Sequence, residues 1–257
     1  MFAWGAFTLF LYILMRVSGF FLFNPIFARN GIPAMLRAGI AGLLSMSVFL
    51  IYRGSAEMPD NLLVFMLRLL SELGVGLVLS LIMRFFFYLT DQAGELIDAQ
   101  MGLSMAKTYD PSSQTQVSVT SNLLNMMMVL LFFAENGHIT LIRLIVSSGE
   151  ILPYGTAHFG QHMADYVLEL FANCVLLGVK LSLPILGAEL LGQVGMGVLM
   201  KVIPQINVFA INIELKVIIG LVMLVMLLYP ISEYLLSVES DMLRALRYTL
   251  GYMAEGA

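Results

Sequence analysis

Ionisable side chains and a helix-breaking motif lie inside residues 189–221, a stretch that is apolar enough for a lipid bilayer. The ionisable residues are Glu189, Lys201, Glu214 and Lys216, and the motif comprises Pro204, Gln205 and Asn207. An ionised side chain at the centre of a spanning helix costs roughly 2.5–3.5 kcal/mol on insertion scales, so such groups usually face protein or water. The stretch is therefore predicted to pack against other membrane-protein helices.

A polar stripe is predicted along a helix over residues 162–183. At 100° per residue its polar side chains fall within about a third of the circumference. They are His162, Asp165, Glu169, Asn173 and Lys180. Because lipid exposure would be costly, we expect the stripe to face a partner subunit or a hydrated interior. Two interpretations of Lys180 and Glu189 stay open: a proton-relay pair or, more in keeping with the pattern, ion pairs with a neighbouring subunit.

No pattern in the chain predicts catalysis, a cofactor or a metal site. The glycines at 192, 195 and 197 lie in an apolar helical run and not at a strand-to-helix turn, so they do not indicate a nucleotide site. His158 and His162 have the spacing of helical metal ligands, but no third histidine or cysteine lies near them in sequence. The chain is predicted not to be an enzyme.

A long polar segment, residues 109–121, precedes three consecutive methionines. Asp110 and Pro111 require a turn, and long loops of this kind tend to act as lids or gates. An extramembrane connection is the alternative. Met126, Met127 and Met128 suit an adaptable seal, because methionine is flexible and polarizable, although gap-filling in an apolar helix is the simpler interpretation.

Composition places the chain among membrane proteins. Of its 257 residues, 60% are hydrophobic and 12% charged, against about 45–50% and about 25% in soluble domains. A net charge of -4 without a Lys/Arg cluster argues against nucleic acid as a partner. The single cysteine, Cys174, excludes an intramolecular disulfide, and the first residues lack the positive region of a cleavable signal peptide.

Apolar segments predict an all-α protein. Helices are expected over 2–27, 34–52, 62–90, 94–107, 119–133, 162–183, 184–200 and 206–229, with a loop over 147–161 and an amphipathic terminal helix from Ser232 near the membrane surface. Pro184 is expected to end the helix before it. Lysines and arginines do not segregate between alternate loops, so the positive-inside rule predicts no orientation.

Short-range spacing predicts two kinds of packing contact. Arg68 and Glu72 are one helical turn apart and are predicted to neutralise each other. Small residues four apart allow membrane helices to approach closely. These pairs are Ala38 and Gly42, Ala41 and Ser45, and Gly76 and Ser80.

The residue pattern resembles the FliR family of flagellar biosynthesis membrane proteins, which is related to the SctT proteins of injectisomes. The N-terminal part of the resemblance is Arg16-Val-Ser-Gly19, Pro25-Ile-Phe27, Pro33 and Arg37. Its central part is Gly94, Gln100, Gly102 and Asp110-Pro111, and its C-terminal part is Glu189, Gly192, Lys201, Pro204-Gln205-x-Asn207-Val208-Phe209 and Gly220. The Pro-Gln-x-Asn-Val-Phe motif is the most specific part, and Glu214 departs from the family pattern.

The resemblance implies a non-enzymatic subunit of a type III export gate in the bacterial inner membrane, at the flagellar basal body. Expected partners are FliP-like, FliQ-like and FlhB-like proteins and unfolded export substrates, with helical hairpins assembled into a larger complex. A single domain would combine a FliP-like half, about 1–118, with a FliQ-like half, about 119–257.

The resemblance also assigns residues. A channel plug loop is expected over about 106–122, including Lys107, Tyr109, Asp110, Pro111, Ser112 and Gln114. Polar residues expected to pack between subunits are Arg16, Arg37, Lys180, Glu189, Lys201, Pro204, Gln205 and Asn207.

Two alternatives remain. An injectisome export subunit would share the mechanism and differ in cargo. A small-solute secondary transporter would use Lys180, Glu189 and Glu214 at helices broken at Pro184 and Pro204.

Overall fold

The computed structural model describes residues 2–27, 33–52, 56, 59, 61–103, 118–202 and 208–255. Within these ranges the chain forms eight α-helices and no β-strand, so the predicted all-α class is confirmed. The helices are α1 Phe2–Phe23, α2 Ala34–Tyr52, α3 Leu62–Met101, α4 Val119–Ala134, α5 Gly137–Ile151, α6 Gln161–Val202, α7 Val208–Met226 and α8 Leu228–Glu255.

Four of these helices, α1, α2, α3 and α6, are long and apolar enough to cross a membrane. The number rises to six if each of two bent helix pairs is counted as one span. Length and composition therefore agree with the membrane assignment that the sequence predicts.

The chain packs as two compact units. The first comprises Met1–Phe86, Glu135–Phe171 and Ser240–Ala257, and the second comprises Phe87–Ala134 and Ala172–Glu239. Each unit draws on residues from both halves of the sequence, so these packing units are distinct from the FliP-like and FliQ-like halves, which remain an expectation of the resemblance.

Helix α1 ends earlier than its apolar run predicts, at Phe23 instead of residue 27. Pro25 disfavours the helical conformation at the residue before it. The side chain of Asn24 then accepts a hydrogen bond of 2.9 Å from the backbone N–H of Ile26, which closes a local turn.

Helix α3 continues for 40 residues to Met101, and the predicted separate piece over 94–107 is wrong at its start. Leu89, Ala93, Ile97 and Met101 recur every four residues and are at most 1% exposed. One buried face therefore continues through this part of the helix. Polar residues on the other faces lowered its hydrophobicity and made it resemble a separate element.

Two predicted helix ends, one at the start of the loop at residue 147 and one at Pro184, are also wrong. Helix α5 reaches Ile151, because the polar Ser148 is buried in the helix and its hydroxyl donates to the carbonyl of Ile145 at 2.7 Å. Helix α6 runs through Pro184 for 42 residues. A proline removes one backbone N–H, and spanning helices tolerate that loss.

In the first unit, α1 and α3 approach each other at glycines. A Cβ added to Gly19 would lie 2.5 Å from the carbonyl oxygen of Leu73, and one added to Gly76 would overlap the backbone of α1 at Arg16 and Phe20. The small residue predicted at position 76 therefore serves close packing.

Helix α2 uses only one of its two predicted small-residue pairs within the chain. Ala41 and Ser45 are buried, whereas Ala38 is exposed and a Cβ on Gly42 would meet open space. Ala38 and Gly42 therefore do not mediate close packing within the described part of the chain.

The predicted amphipathic terminal helix is present as α8. Leu246, Leu250 and Met253 on one side are fully buried, while Arg247 and Tyr248 on the other are exposed. Its apolar side thus packs into protein. Its position relative to the membrane surface stays a prediction.

Candidate functional site

The segment predicted to plug a channel lies between α3 and α4, and residues 104–117 are outside the described part of the chain. Lys107, Tyr109, Asp110, Pro111, Ser112 and Gln114 all belong to it. Pro204, Gln205 and Asn207 of the Pro-Gln-x-Asn motif also lie outside the described residues. The structure does describe both ends of the plug segment, and they are joined by a dense set of hydrogen bonds.

Asp98 is the centre of this set. Its carboxylate oxygen Oδ2 accepts from the Ser118 hydroxyl at 2.6 Å and from the Val119 backbone N–H at 2.8 Å. Its Oδ1 accepts from the Thr120 hydroxyl at 2.5 Å and the Thr120 N–H at 3.3 Å. The side chain is 1% exposed. We refer to Asp98 with Ser118, Val119 and Thr120 as the Asp98 clamp.

The clamp provides hydrogen-bond acceptors for the backbone N–H groups that the start of a helix leaves unpaired. The first N–H groups of a helix have no partner within it, and a negative charge there is favourable. Ser118 acts as the N-cap, since its hydroxyl oxygen accepts from the Ser121 N–H at 3.0 Å while donating to Asp98. Asp98, on another helix, takes the N–H groups of Val119 and Thr120. A carboxylate has about four acceptor positions, and all are used here.

A second layer of polar contacts continues along the same faces of α3 and α4. The Ser121 hydroxyl donates to the Asp91 carbonyl at 2.7 Å, and the Asn125 amide donates to the Asp91 carboxylate. Thr90 donates to the Asn125 side-chain oxygen at 2.9 Å. A Cβ on Gly94 would overlap the backbone of Ser121, so the helices nearly touch there. The two ends of the plug segment are therefore held side by side.

Sequence reasoning missed the clamp. Asp91, Gly94 and Asp98 do recur at spacings that share one helix face, and Ser118 stands just before an apolar run, as N-caps do. Those signals place polar groups on each helix. They do not reveal which helix supplies the partners, because the pairs are separated by 20 to 22 residues.

A second buried polar network lies in the first unit and centres on Arg16. Its guanidinium forms a two-point ion pair with Glu72, at 2.6 Å from Nε and 3.0 Å from Nη2. Nη1 donates to the Ser148 hydroxyl at 3.2 Å and the Leu152 carbonyl at 3.0 Å. Glu72 also accepts from the Gly155 N–H at 2.6 Å. Arg16 and Glu72 are 2% and 0% exposed.

The predicted neutralisation of Glu72 by Arg68 is therefore wrong, because Glu72 pairs with Arg16. Arg68 lies on an exposed side of α3. A pair one turn apart on a helix surface gains little, whereas the planar guanidinium of Arg16 matches the buried carboxylate at two points.

Tyr154 completes the network from the segment after α5. The Arg16 guanidinium carbon lies 4.3 Å from the centre of the Tyr154 ring, a cation–π contact, and the Tyr52 ring packs edge-on at 5.4 Å. Burial raises the pKa of the Tyr154 phenol above its ordinary value, so the ring stays neutral against the cation. Gly155, at φ 83°, supplies the left-handed turn that presents its N–H to Glu72.

Glu189 on α6 has a different environment. It is 0% exposed and has no close hydrogen bond among the described residues, and the groups that act on its carboxylate are the Lys216 cation and the Gly220 backbone N–H on α7. Lys180 and Lys201 on the same helix are exposed. Lys180 forms no ion pair with Glu189 in the part of the chain that the structure describes.

The remaining predicted site residues differ in their exposure. Glu169, Asn173 and Lys180 of the polar stripe are exposed. Arg37 is partly exposed and reaches the Leu22 carbonyl at 3.5 Å. The three methionines point in different directions, as consecutive helical residues must: Met126 is 60% exposed, Met127 partly exposed and Met128 0% exposed.

The arrangement is suited to holding helices and not to reacting with a substrate. The Asp98 carboxylate is saturated with donors and the Arg16 guanidinium is enclosed. Within the described ranges no three His, Cys, Asp or Glu side chains are close enough to hold a metal ion. The transporter alternative loses one of its two predicted helix breaks, because α6 is unbroken at Pro184, and of its three residues Lys180 and Glu214 are exposed while Glu189 is buried.

Comparison with known proteins gives a family match over most of the chain. Residues 7–241 match the model of the bacterial export proteins, family 1. The flagellar biosynthetic protein FliR of Bacillus subtilis is 28% identical over 250 residues, which cover 95% of each chain. FliR of Escherichia coli is 28% identical over 238 residues, or 90% of this chain and 89% of the relative. FliR of Aquifex aeolicus is 29% identical over 233 residues, 91% of this chain and 90% of the relative.

Proposed function

Because the chain belongs to family 1 of the bacterial export proteins, we propose that it lines a protein-export channel and that the segment between α3 and α4 closes this channel. The chain is a membrane subunit of the flagellar type III export apparatus. The observation that carries this conclusion is the match over residues 7–241, together with relatives of nearly equal length that are all flagellar. The apolar helices agree with a place in the membrane, which for this apparatus is the bacterial inner membrane.

The plug is supported by where the segment attaches. It is polar, it lies between two apolar helices, and the Asp98 clamp holds its two ends together. Met126 follows on the exposed side of α4 and could line the passage beside it, with Met127 partly exposed. Met128 is in the core and would not contribute to such a seal.

Partners are inferred from the family and from the surface of the chain. We expect FliP-like, FliQ-like and FlhB-like subunits around it. The exposed stripe of Glu169, Asn173 and Lys180 supports this, since charged groups in spanning helices usually face protein or water. The expected absence of enzymatic activity follows from the same role: the chain shapes a passage and does not transform a substrate.

The plug is tested by removing residues 110–116 from the chain within the assembled gate. We expect a marked rise in ion conductance across membranes that contain the gate, because the passage loses its obstruction. The matched control replaces the same residues with glycine and serine, which keeps the length of the segment and removes its native side chains. Conductance equal to wild type after the deletion would reject the plug role.

Flagellar and injectisome roles are separated by cargo. The relatives above are flagellar proteins, which favours the flagellar role. The gene for this chain should restore swimming to a bacterium that lacks its own FliR when it is supplied with matching partner subunits. Restoration of virulence-type secretion instead would assign the chain to an injectisome.

A further inference from the structure

We propose that a cleft between the end of α1 and the middle of α3 binds an anionic phospholipid. The phosphate of the lipid lies against Arg84, its ester carbonyl accepts a hydrogen bond from Ser80, and its acyl chain lies along α3. All the residues of the cleft belong to the first packing unit. The site is separate from the plug segment, so the proposal does not depend on the role of that segment.

The cleft is apolar along most of its length and carries a cation at one end. It encloses about 220 Å³ and is lined by Phe23 of α1 and by Leu77, Val78, Ser80, Leu81 and Arg84 of α3. Residues 77, 80, 81 and 84 follow one another at helical spacings, so they share one face of α3. Along this face the wall changes from apolar side chains to a hydroxyl and then to a guanidinium. A phospholipid has the matching order of acyl chain, ester and phosphate.

Ser80 supplies an unused hydrogen-bond donor to this cleft. Its side chain is 0% exposed, and its hydroxyl has no hydrogen-bond partner in the described ranges. The equally buried Ser45 on α2 instead donates to the carbonyl of Ala41 at 2.7 Å, as hydroxyls within helices commonly do. A buried polar group without a partner is costly. An ester carbonyl that enters the cleft would remove this cost.

Arg84 supplies the charge that selects an anionic lipid. It is exposed, and it forms no ion pair or hydrogen bond with the residues that the structure describes. Arg16, by contrast, is enclosed and paired with Glu72. A guanidinium presents parallel N–H groups to the oxygens of a phosphate. Arg84 is therefore available to bind an anion from outside the chain.

The position of Arg84 along α3 agrees with the depth of lipid phosphates. Arg84 lies 22 residues after Leu62, which is about 33 Å along the helix. The hydrocarbon core of a bilayer is about 30 Å thick. Tyr88, one turn further, is 53% exposed, and tyrosine is enriched at the interface between membrane and water. These lengths place Leu77 and Leu81 beside acyl chains and Arg84 at the level of the head groups.

The first experiment measures lipid binding to the full chain in a mild detergent by native mass spectrometry. The chain is titrated with phosphatidylglycerol and with phosphatidylcholine that carry the same acyl chains. We expect wild type to bind phosphatidylglycerol about fivefold more tightly, because one arginine near an anionic lipid contributes about 1 kcal/mol. Arg84→Gln should lose this preference.

Arg68→Gln is the matched control, because Arg68 is an exposed arginine on the same helix and does not line the cleft. It should keep the preference for phosphatidylglycerol. Equal binding of both lipids by wild type would show a lipid coat without selection and overturn the proposal. A preference that survives in Arg84→Gln would overturn it as well.

A double-mutant cycle tests the contact of Ser80 with the ester. Ether-linked phosphatidylglycerol lacks the carbonyl, so wild type should bind it more weakly than the ester-linked lipid. Ser80→Ala should bind the ester-linked lipid as weakly as wild type binds the ether-linked one, and should show no further loss with the ether-linked lipid. If wild type bound the ester-linked and ether-linked lipids equally, the placement of the lipid in this cleft would be wrong.

Two further measurements separate the lipid from other occupants. Inorganic phosphate at the same concentration should not displace the lipid, because it cannot fill the apolar wall, and displacement would reduce the site to one for simple anions. Assembled gates with wild-type chain should retain one more phosphatidylglycerol per copy of this chain than gates with Arg84→Gln. An equal lipid content would show that another subunit covers the cleft in the gate, which would overturn the proposal.

Discussion

Two fully buried glutamates, Glu72 in the first unit and Glu189 in the second, have opposite surroundings. Glu72 receives two hydrogen bonds from Arg16 and one from the Gly155 backbone. Glu189 has no comparably close hydrogen bond to the described residues, although the Lys216 cation and the Gly220 backbone N–H act on its carboxylate. A buried charge is costly unless it is paired and hydrogen-bonded. The first unit thus satisfies its buried charge with close hydrogen bonds, whereas the second opposes its buried carboxyl group with a cation and an N–H that form no such close bonds.

The difference indicates which part of the chain is complete before assembly. The network of Arg16, Glu72, Ser148 and Tyr154 connects three helices and a loop, and it needs no other subunit. Arg16, which the family resemblance assigned to packing between subunits, has its partners inside its own chain. We expect the second unit, with Glu189 and the plug segment, to be the part that changes when the export gate assembles or opens.

Breaking the Arg16–Glu72 pair should have the largest effect on the free energy of unfolding. Removing one partner from a buried ion pair typically costs about 3–5 kcal/mol, because the other charge stays buried alone. Arg16→Met should destabilise the purified chain by this amount, measured as the free energy of unfolding in a mild detergent. Arg68→Met, an exposed arginine lost from α3, is the control. Equal stability of the two variants would contradict the network's role.

Forcing α1 and α3 apart should have the next largest effect on the free energy of unfolding. Gly76→Ala would place a Cβ against the backbone at Arg16, and such overpacking typically costs about 1–3 kcal/mol. Gly42→Ala adds the same methyl group into open space and should leave the unfolding free energy nearly unchanged. If Gly42→Ala proved as costly as Gly76→Ala, close approach would not explain the glycine at 76.

Replacing Glu189 should have the smallest effect on the isolated chain, and in the opposite direction. A buried polar group without a close hydrogen bond costs roughly 1–3 kcal/mol, and the Lys216 cation and the Gly220 N–H offset only part of this cost, so Glu189→Leu should leave the unfolding free energy equal or increase it. The same variant should lower the yield of FliP-like and FliQ-like subunits that co-purify, if assembly supplies the missing donor. A loss of stability as large as that of Arg16→Met would show that Glu189 is already paired, and the contrast between the two units would disappear.

Much of the fold follows from local sequence properties. The predicted helix over 34–52 matches α2 at both ends, because an apolar run after Pro33 and before a polar connection determines both boundaries. The membrane class and the amphipathic character of α8 likewise depend on composition and periodicity over a few turns. Errors occurred where polar residues are buried inside helices, as at Ser148, because a polar residue without a visible partner resembles a loop residue in sequence.

Composition and local spacing alone determined that this chain is helical, lies in a membrane and carries charges that must be kept from lipid. Only the tertiary structure decided which groups pair with these charges and keep them from lipid. Sequence spacing predicted that Arg68 would pair with Glu72. In the structure, α1 and α3 cross at Gly19 and Gly76, and this crossing brings Arg16, which is 56 residues away in sequence, into contact with Glu72. The physical reason is that hydrogen bonds and ion pairs act over a few ångströms in space. The distances between helices, and not their order in the chain, set which partners meet.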